Sequence, residues 1–431
     1  MKSGEKRDQI SLLEAMSIGI GGMVGGGIFA VLGLAVSLAK GGTPVAFAFA
    51  GLVTLLTAYS YTKMSLKYPD RGGTVKFINQ GFGRGIFSGA MNNMLWLCYI
   101  IMLSLYASAF GSYAPNLFSI TGNRTADFHI YASLIIVIAT VINYYSIAVV
   151  GRIESWAVAI KLVILLGFIV LGVYGLFGNP NLSQLSMEHW ESPVKLFAGG
   201  MVIFVAYEGF ELIANASPDI KDPQRNVPRA YYGSVIFVIA LYITIAVVTV
   251  GSLPFEKIKS AQDYVLAEAA RPMLGQAGFT IITIAALIST FSAINASIYG
   301  GGQVNYEVAE DQELPAYFTD KWLHQPVGVG LTALLTLLVV NVLQLESIST
   351  AGSVGFLLIF GIVNLAAFRK AKDVDANRVI TLAGAVLCAV ATVILVGQQW
   401  QQNFVGVMVS AGIIAFCFLV EWGYRKTAKV K

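Results

Sequence analysis

Three ionisable residues stand where charge is expensive. Lys161 lies in "SWAVAIKLVILLGF" (155–168), and Glu208 and Glu211 stand three apart in "FVAYEGFELIANA" (204–216), both otherwise apolar stretches. A lysine there can gain and lose a proton, and a carboxylate can line the path of a proton or a substrate. Such groups inside a membrane span are costly and mark function by default. A span starting near Val150 puts Lys161 about 16 Å in, close to the bilayer midplane. The structural alternatives are that Lys161 pairs with Glu154 or Glu208, and that the two glutamates accept hydrogen bonds which only stabilise a helix break.

A second signal is "GGMVGGGIF" (21–29), with five glycines in seven positions of a stretch uncharged from Glu14 to Lys40. Each glycine costs a helix interior roughly 1 kcal/mol relative to alanine, so the cluster works against the helix that hydropathy demands. The sixth apolar run is disturbed as well, by a glycine and two carboxylates at Tyr207–Glu211. Unwound backbone at membrane depth needs partners. The freed N–H groups of an outer half-helix attract a carboxylate, while freed carbonyls suit an ammonium or a cation. A zwitterion matches both. Close packing of small residues is the alternative for a single glycine run. Two disruptions five spans apart favour a site at an internal repeat.

The elements that position these residues follow from composition. The chain has 431 residues, 56% hydrophobic and 12% charged, with a mean hydropathy of +0.71. That is an all-α polytopic membrane protein. Twelve spans fit the apolar runs: about 13–39, 43–66, 86–115, 128–148, 151–177, 195–217, 230–251, 275–303, 327–345, 348–368, 378–398 and 402–424. The polar "GQQWQQN" (397–403) reads as a hairpin turn between the last two. With both termini cytoplasmic, 21 basic residues fall inside and 6 outside, as the positive-inside rule requires. The spacing of the breaks gives a 5+5 inverted repeat, about 11–177 and 194–370, plus two extra helices at about 378–424, all within one transmembrane domain. The segment 67–83 is expected along the inner surface, and 254–274 as a short helical cap outside.

"GIGGMVGGGIF" resembles the first-helix motif of the amino acid–polyamine–organocation superfamily, and "FVAYEGFELIANASPDIKDPQRNVPRA" (204–230) its sixth helix and following loop. "YPDRGGTVKFINQGFG" is similar to the loop after its second span. "AEDQELPAYF" (309–318) resembles the loop after its eighth, with Asp-Gln-Glu in place of the usual Asp-Gly. The resemblance implies the leucine-transporter-type fold, helices one and six discontinuous, and secondary transport of amino acids or related amines across the cytoplasmic membrane. It places the substrate carboxylate at the N–H groups of Gly25, Gly26 and Gly27. The amine falls at carbonyls around Met23, Val205 and Glu208, with Val24 and Tyr207 in the same unwound stretches, and Glu211 at a gating position. In some proton-coupled members a fifth-helix lysine occupies the space where sodium binds in relatives. Lys161 would do so beside Gly21 and the hydroxyls of Ser289, Thr290 and Ser292, with the proton as coupling ion.

Other functions fit less well. Filter loops of a channel are not evident. His129, His189 and His324 sit at or near span edges, and Cys98, Cys388 and Cys417 lie in apolar runs without metal-ligand spacing. That leaves no intramembrane enzyme chemistry, no cofactor and no metal. A net charge of +4 carries no nucleic-acid message in this composition. The partners expected are an amino acid and the bilayer, with no obligatory protein partner evident. The runner-up is an exchanger of amino acids or polyamines without proton coupling.

Overall fold

In hydrocarbon a chain must pair its own backbone polar groups, so uncharged runs of this length become helices. The computed structural model describes residues 9–145, 147–177, 179–310, 319–322 and 325–428. The chain opens with α1 (Leu12–Met23) and α2 (Gly27–Ala39), a pair bent by 46° at the glycine run. There follow α3 (Thr43–Lys67), the short α4 (Thr74–Phe82), α5 (Ile86–Tyr113), α6 (Arg124–Tyr145) and α7 (Ile147–Leu176). The second bent pair, at 54°, runs from α8 (Pro193–Val202) through a 3-10 turn at Phe204–Tyr207 into α9 (Leu212–Ala216). Next come α10 (Pro223–Ser252), the short α11 (Phe255–Ser260) and α12 (Val265–Ala269), and then α13 (Arg271–Glu310). The chain ends with α14 (Gly328–Val342), α15 (Leu345–Arg369), α16 (Arg378–Gln402) and α17 (Phe404–Ala428). Among the described residues the strands amount to one two-residue antiparallel pair, Lys321–Trp322 with Gln325–Pro326.

Nine of the described helices are long and apolar enough to cross a bilayer, or eleven spans if each bent pair counts as one. The ninth expected span is α14. Its 15 residues reach about 22 Å, less than the roughly 30 Å hydrocarbon core. The expected hairpin at 397–403 is shorter than its polar composition suggested. Glutamine is a good helix former, so α16 continues to Gln402 and the chain turns at Asn403 alone. The Asn403 amide oxygen accepts from the Gly406 N–H at 3.1 Å and the Ser347 hydroxyl at 2.9 Å. Residues 311–318 of the eighth-span loop motif, and His324, lie outside the described residues.

Burial orders the helices. Almost every residue of α5 is buried, whereas α16 and α17 expose valines and leucines along their outer sides. The connecting segments gather at two ends. At one, Arg71 pairs with Asp219 at 2.9 Å, Lys63 with Asp375 at 3.5 Å, and the Arg369 guanidinium covers the Phe82 ring. At the other, Lys40 meets Glu191 at 2.7 Å, and Gln184 donates to the carbonyls of Val250 and Leu253. The Lys40 hydrogen bond, seconded by Lys195, holds the Glu191 carboxyl below its ordinary range against partial burial. The 254–274 segment folds at this second end as α11 and α12 against α2.

The three described cysteines are free and buried, so an introduced thiol is the one a membrane-impermeant reagent meets. Single cysteines at Arg71 and Lys372 should label from one side of sealed vesicles and one at Lys257 from the other. Labelling of all three from the same side would break this assignment of ends.

Candidate functional site

The two breaks face each other through backbone. α1 ends at Met23 and α2 starts at Gly27, leaving Val24, Gly25 and Gly26 between them. The second break begins earlier than its glycine suggests. The α-helix stops at Val202, and Glu208 is extended (φ −61°, ψ 151°) before Gly209, whose φ of +112° favours glycine. A Cβ on Gly22 would come within 2.8 Å of the Gly209 Cα, and one on Gly27 within 2.8 Å of the Ala206 Cα. A Cβ on Gly25 would meet Ala293 at 2.7 Å, and one on Gly26 would run into the Tyr106 ring. The glycine run thus breaks the helix and packs closely against the second break, α13 and α5.

Most carbonyls freed at the breaks are claimed by side chains of intact helices. Lys161 of α7, fully buried, donates from Nζ to the Gly21 carbonyl at 2.9 Å. The Ser289 hydroxyl of α13 meets the Val24 carbonyl at 2.9 Å and also contacts that of Gly25. Tyr242 of α10 reaches both breaks, its hydroxyl 2.6 Å from the Met23 carbonyl and 3.1 Å from that of Ala206. On α15, Ser349 and Ser353 each donate to the Val202 carbonyl at 2.8 Å, and Ser353 accepts from the Val205 N–H at 3.0 Å. The Val205 carbonyl accepts from the Glu208 N–H at 3.2 Å.

Other groups remain open. Among the described residues no acceptor meets the N–H groups of Gly26 and Gly27, whereas that of Gly25 donates to the Gly22 carbonyl at 3.2 Å. A small cavity lies between Gly21, Gly22, Tyr106, Glu208, Leu212 and Ser292. Within it the Tyr106 hydroxyl donates to Glu208 Oε2 at 3.3 Å. Glu211 turns back instead, accepting from the Gly209 N–H at 2.6 Å. The site therefore pairs half-helix N–H groups with a buried carboxyl across a short gap.

The structure gathers Lys161, Gly21, Ser289, Met23, Val24, Gly25, Gly26, Gly27, Val205 and Glu208 around the breaks, with Ser292 in the cavity wall. Tyr207 points away, donating to the Phe47 carbonyl at 2.9 Å. Thr290 bonds its own helix at Ala286 and Leu287. Four other polar side chains of the same spans are engaged elsewhere: Glu14 in the cap with Ser11, Asn92 with Asn79, Asn93 with Glu421, and Asn295 with Asn143. The Glu154 side chain lies outside the described residues. Sequence reasoning missed Tyr106, Tyr242 and the Ser349–Ser353 pair; a tyrosine at 242, midway along an uncharged span and apart from Tyr231 and Tyr232 at its start, was the available signal.

Two broken spans bound by hydroxyls and a lysine of intact helices, inside a multi-pass helical protein, make the architecture of a membrane transporter. Residues 10–424 match the amino acid permease family, and the chain belongs to it. It is 33% identical over 429 residues to an uncharacterised protein of Methanocaldococcus jannaschii, covering 98% of this chain and 97% of that one. It is also 33% identical over 395 residues to the inner membrane transport protein YbaT of Escherichia coli, 91% of each chain. A methylthioribose transporter of Bacillus subtilis is 24% identical over 367 residues, 78% of this chain and 77% of that one. These relatives place the chain among transporters and not among enzymes.

Tyr242→Phe removes a hydroxyl that reaches both breaks and leaves buried carbonyls short of a donor. That should cost about 1–3 kcal/mol of stability, read as a lower thermal midpoint of the purified protein. An unchanged midpoint would mean that this hydroxyl does not hold the breaks.

Proposed function

We propose that this protein imports an amino acid across the cytoplasmic membrane by proton symport, alternating access between the two faces. In this reading the bent pairs and α14 each count as a span, giving twelve, with a 5+5 inverted repeat and two further helices. The basic end of the fold faces the cytoplasm, together with both termini. The family assignment supports transport of amino acids, and the 21-to-6 partition of basic residues supports the orientation.

The observation that carries the coupling is the Lys161 ammonium on the Gly21 carbonyl. Protonated, Lys161 pins the inner half of the first span, α1, to α7. Deprotonated, it loses its charge and part of that grip, so α1 is freed to move. Protonation then favours one face of the cycle by differential interaction, which is what coupling requires. The zwitterion sits between the breaks. Its carboxylate takes the open N–H groups of Gly26 and Gly27 at the α2 N-terminus. Its amine turns to the Glu208 carboxyl, because the carbonyls of Met23, Val24, Val205 and Ala206 already accept bonds from the protein. Glu211, bound to the Gly209 N–H, belongs to the inner gate.

Uptake into proteoliposomes should rise at acidic external pH, persist without sodium and collapse with a protonophore. Lys161→Ala should keep substrate binding but lose pH-driven accumulation. If that variant still concentrates substrate with an unchanged pH profile, coupling does not run through Lys161, and exchange or another carrier takes its place.

Two variants test the substrate site. Gly26→Val should abolish binding, since its side chain would collide with the Tyr106 ring and cover the N–H groups. Glu208→Gln should weaken binding of an amino acid by about tenfold or more, the loss of one charge-assisted hydrogen bond, with less effect on its 2-hydroxy analogue. Equal losses for both compounds would remove the amine from Glu208.

A further inference from the structure

Another cavity shares no lining residue with the one between the breaks and lies at the end of the fold where Lys40 meets Glu191. It measures about 80 Å³ and opens between α2, α8 and α16, with Ser37, Glu191, Lys195, Gln398, Gln399 and Gln402 in its wall. That is room for several waters or one small solute. Gln399, in the last turn of α16, is fully buried. Neither its amide oxygen nor its amide nitrogen has a hydrogen-bond partner among the described residues. A buried donor or acceptor left unmade is destabilising, and a leucine would occupy this helix position without that cost. The amide is suited to a partner that enters the cavity.

The charges around the cavity decide what that partner is. Glu191 accepts from Lys40 at 2.7 Å and from Lys195 at 3.2 Å, and so stays ionised. Lys195 is half-exposed and has three hydrogens to give, so it can serve a ligand as well. On α15, the Glu346 carboxyl comes near the Gln399 amide without making a hydrogen bond to it. Two ammonium groups thus stand with two carboxyl groups, and a ligand of no net charge disturbs that balance least. The amide narrows the choice further. A bare anion would leave the Gln399 oxygen unpaired, and a bare cation would leave its N–H groups so. An α-amino acid presents a carboxylate and an ammonium one carbon apart, and it serves both.

We propose that this cavity is a second amino acid site. The carboxylate of the ligand takes Lys195 and the Gln399 amide N–H, and its ammonium takes the Gln399 amide oxygen and Glu191. A volume of about 80 Å³ suits the smallest member of the class, glycine. The central site is built on backbone N–H groups freed at the breaks, whereas the polar groups of this one are side chains. Substitution can therefore remove it without touching either break.

Equilibrium dialysis of the purified full-length protein against radiolabelled glycine counts the sites. Gln399→Leu should bind one glycine fewer per molecule than the unsubstituted protein, and it should fold, since leucine suits a buried helix position. Lys195→Met, at a half-exposed position, should weaken glycine binding at this site by about tenfold, the loss of one charge-assisted hydrogen bond. An equal glycine count for Gln399→Leu and the unsubstituted protein would mean that the cavity holds water only, and the proposal would be overturned. Unchanged affinity of every glycine site in Lys195→Met would overturn it as well. Whether the central site takes glycine alters only the count that remains in Gln399→Leu, so failure of the transport reading and failure of this proposal are read separately.

Discussion

Every backbone polar group at membrane depth must find a partner, and this chain opens two of its bent spans there. The partners come from outside the broken helices: Lys161 of α7, Tyr242 of α10, Ser289 of α13, and Ser349 and Ser353 of α15. Four intact helices thus each give a donor to a carbonyl that an unbroken helix would have satisfied internally. The arrangement of the bundle and the shape of the breaks are one problem with one solution. Displacing any of the four helices leaves a carbonyl in hydrocarbon without a hydrogen bond.

The glycine run shows how two explanations that compete in the sequence coexist in the fold. A site needs backbone laid open to a ligand, and a packing surface needs backbone laid against backbone. Gly22 and Gly27 serve the second need, against Gly209 and Ala206, while the N–H groups of Gly26 and Gly27 stay open for the first. Gly27 does both, because its missing side chain and its amide point in different directions. Gly26 is closed on its side-chain face by Tyr106, whose hydroxyl also reaches Glu208. One ring therefore borders both ends of the gap between the breaks.

Much of this was legible from residue types. The bends could be located because glycine and carboxylates are penalised inside an apolar helix, and Lys161 stood out because an ammonium there must have a purpose. Periodicity says which residues share a helix, not which carbonyl a side chain will reach, so the spans expected to line the site were easier to name than Tyr242, Ser349 or Ser353. Thr290 illustrates the limit. Its hydroxyl is one residue from that of Ser289, yet a rotation of about 100° per residue sends it back to its own helix. The hairpin at 397–403 failed for another reason: polar composition resembles a turn, but glutamines extend a helix, and the single asparagine at 403 ends it.

The hydroxyl of Tyr242 has two carbonyls within reach and one hydrogen to give. It therefore acts as a ratchet pawl with two notches, seated at 2.6 Å on Met23 in this state and with Ala206 waiting at 3.1 Å. A small turn about the C–O bond exchanges one acceptor for the other without moving the ring, which is wedged between Phe47 and Tyr207. Loss of one bond is then offset by the gain of the other. If the Met23 carbonyl moved away while the Ala206 carbonyl stayed, that proton would still have an acceptor.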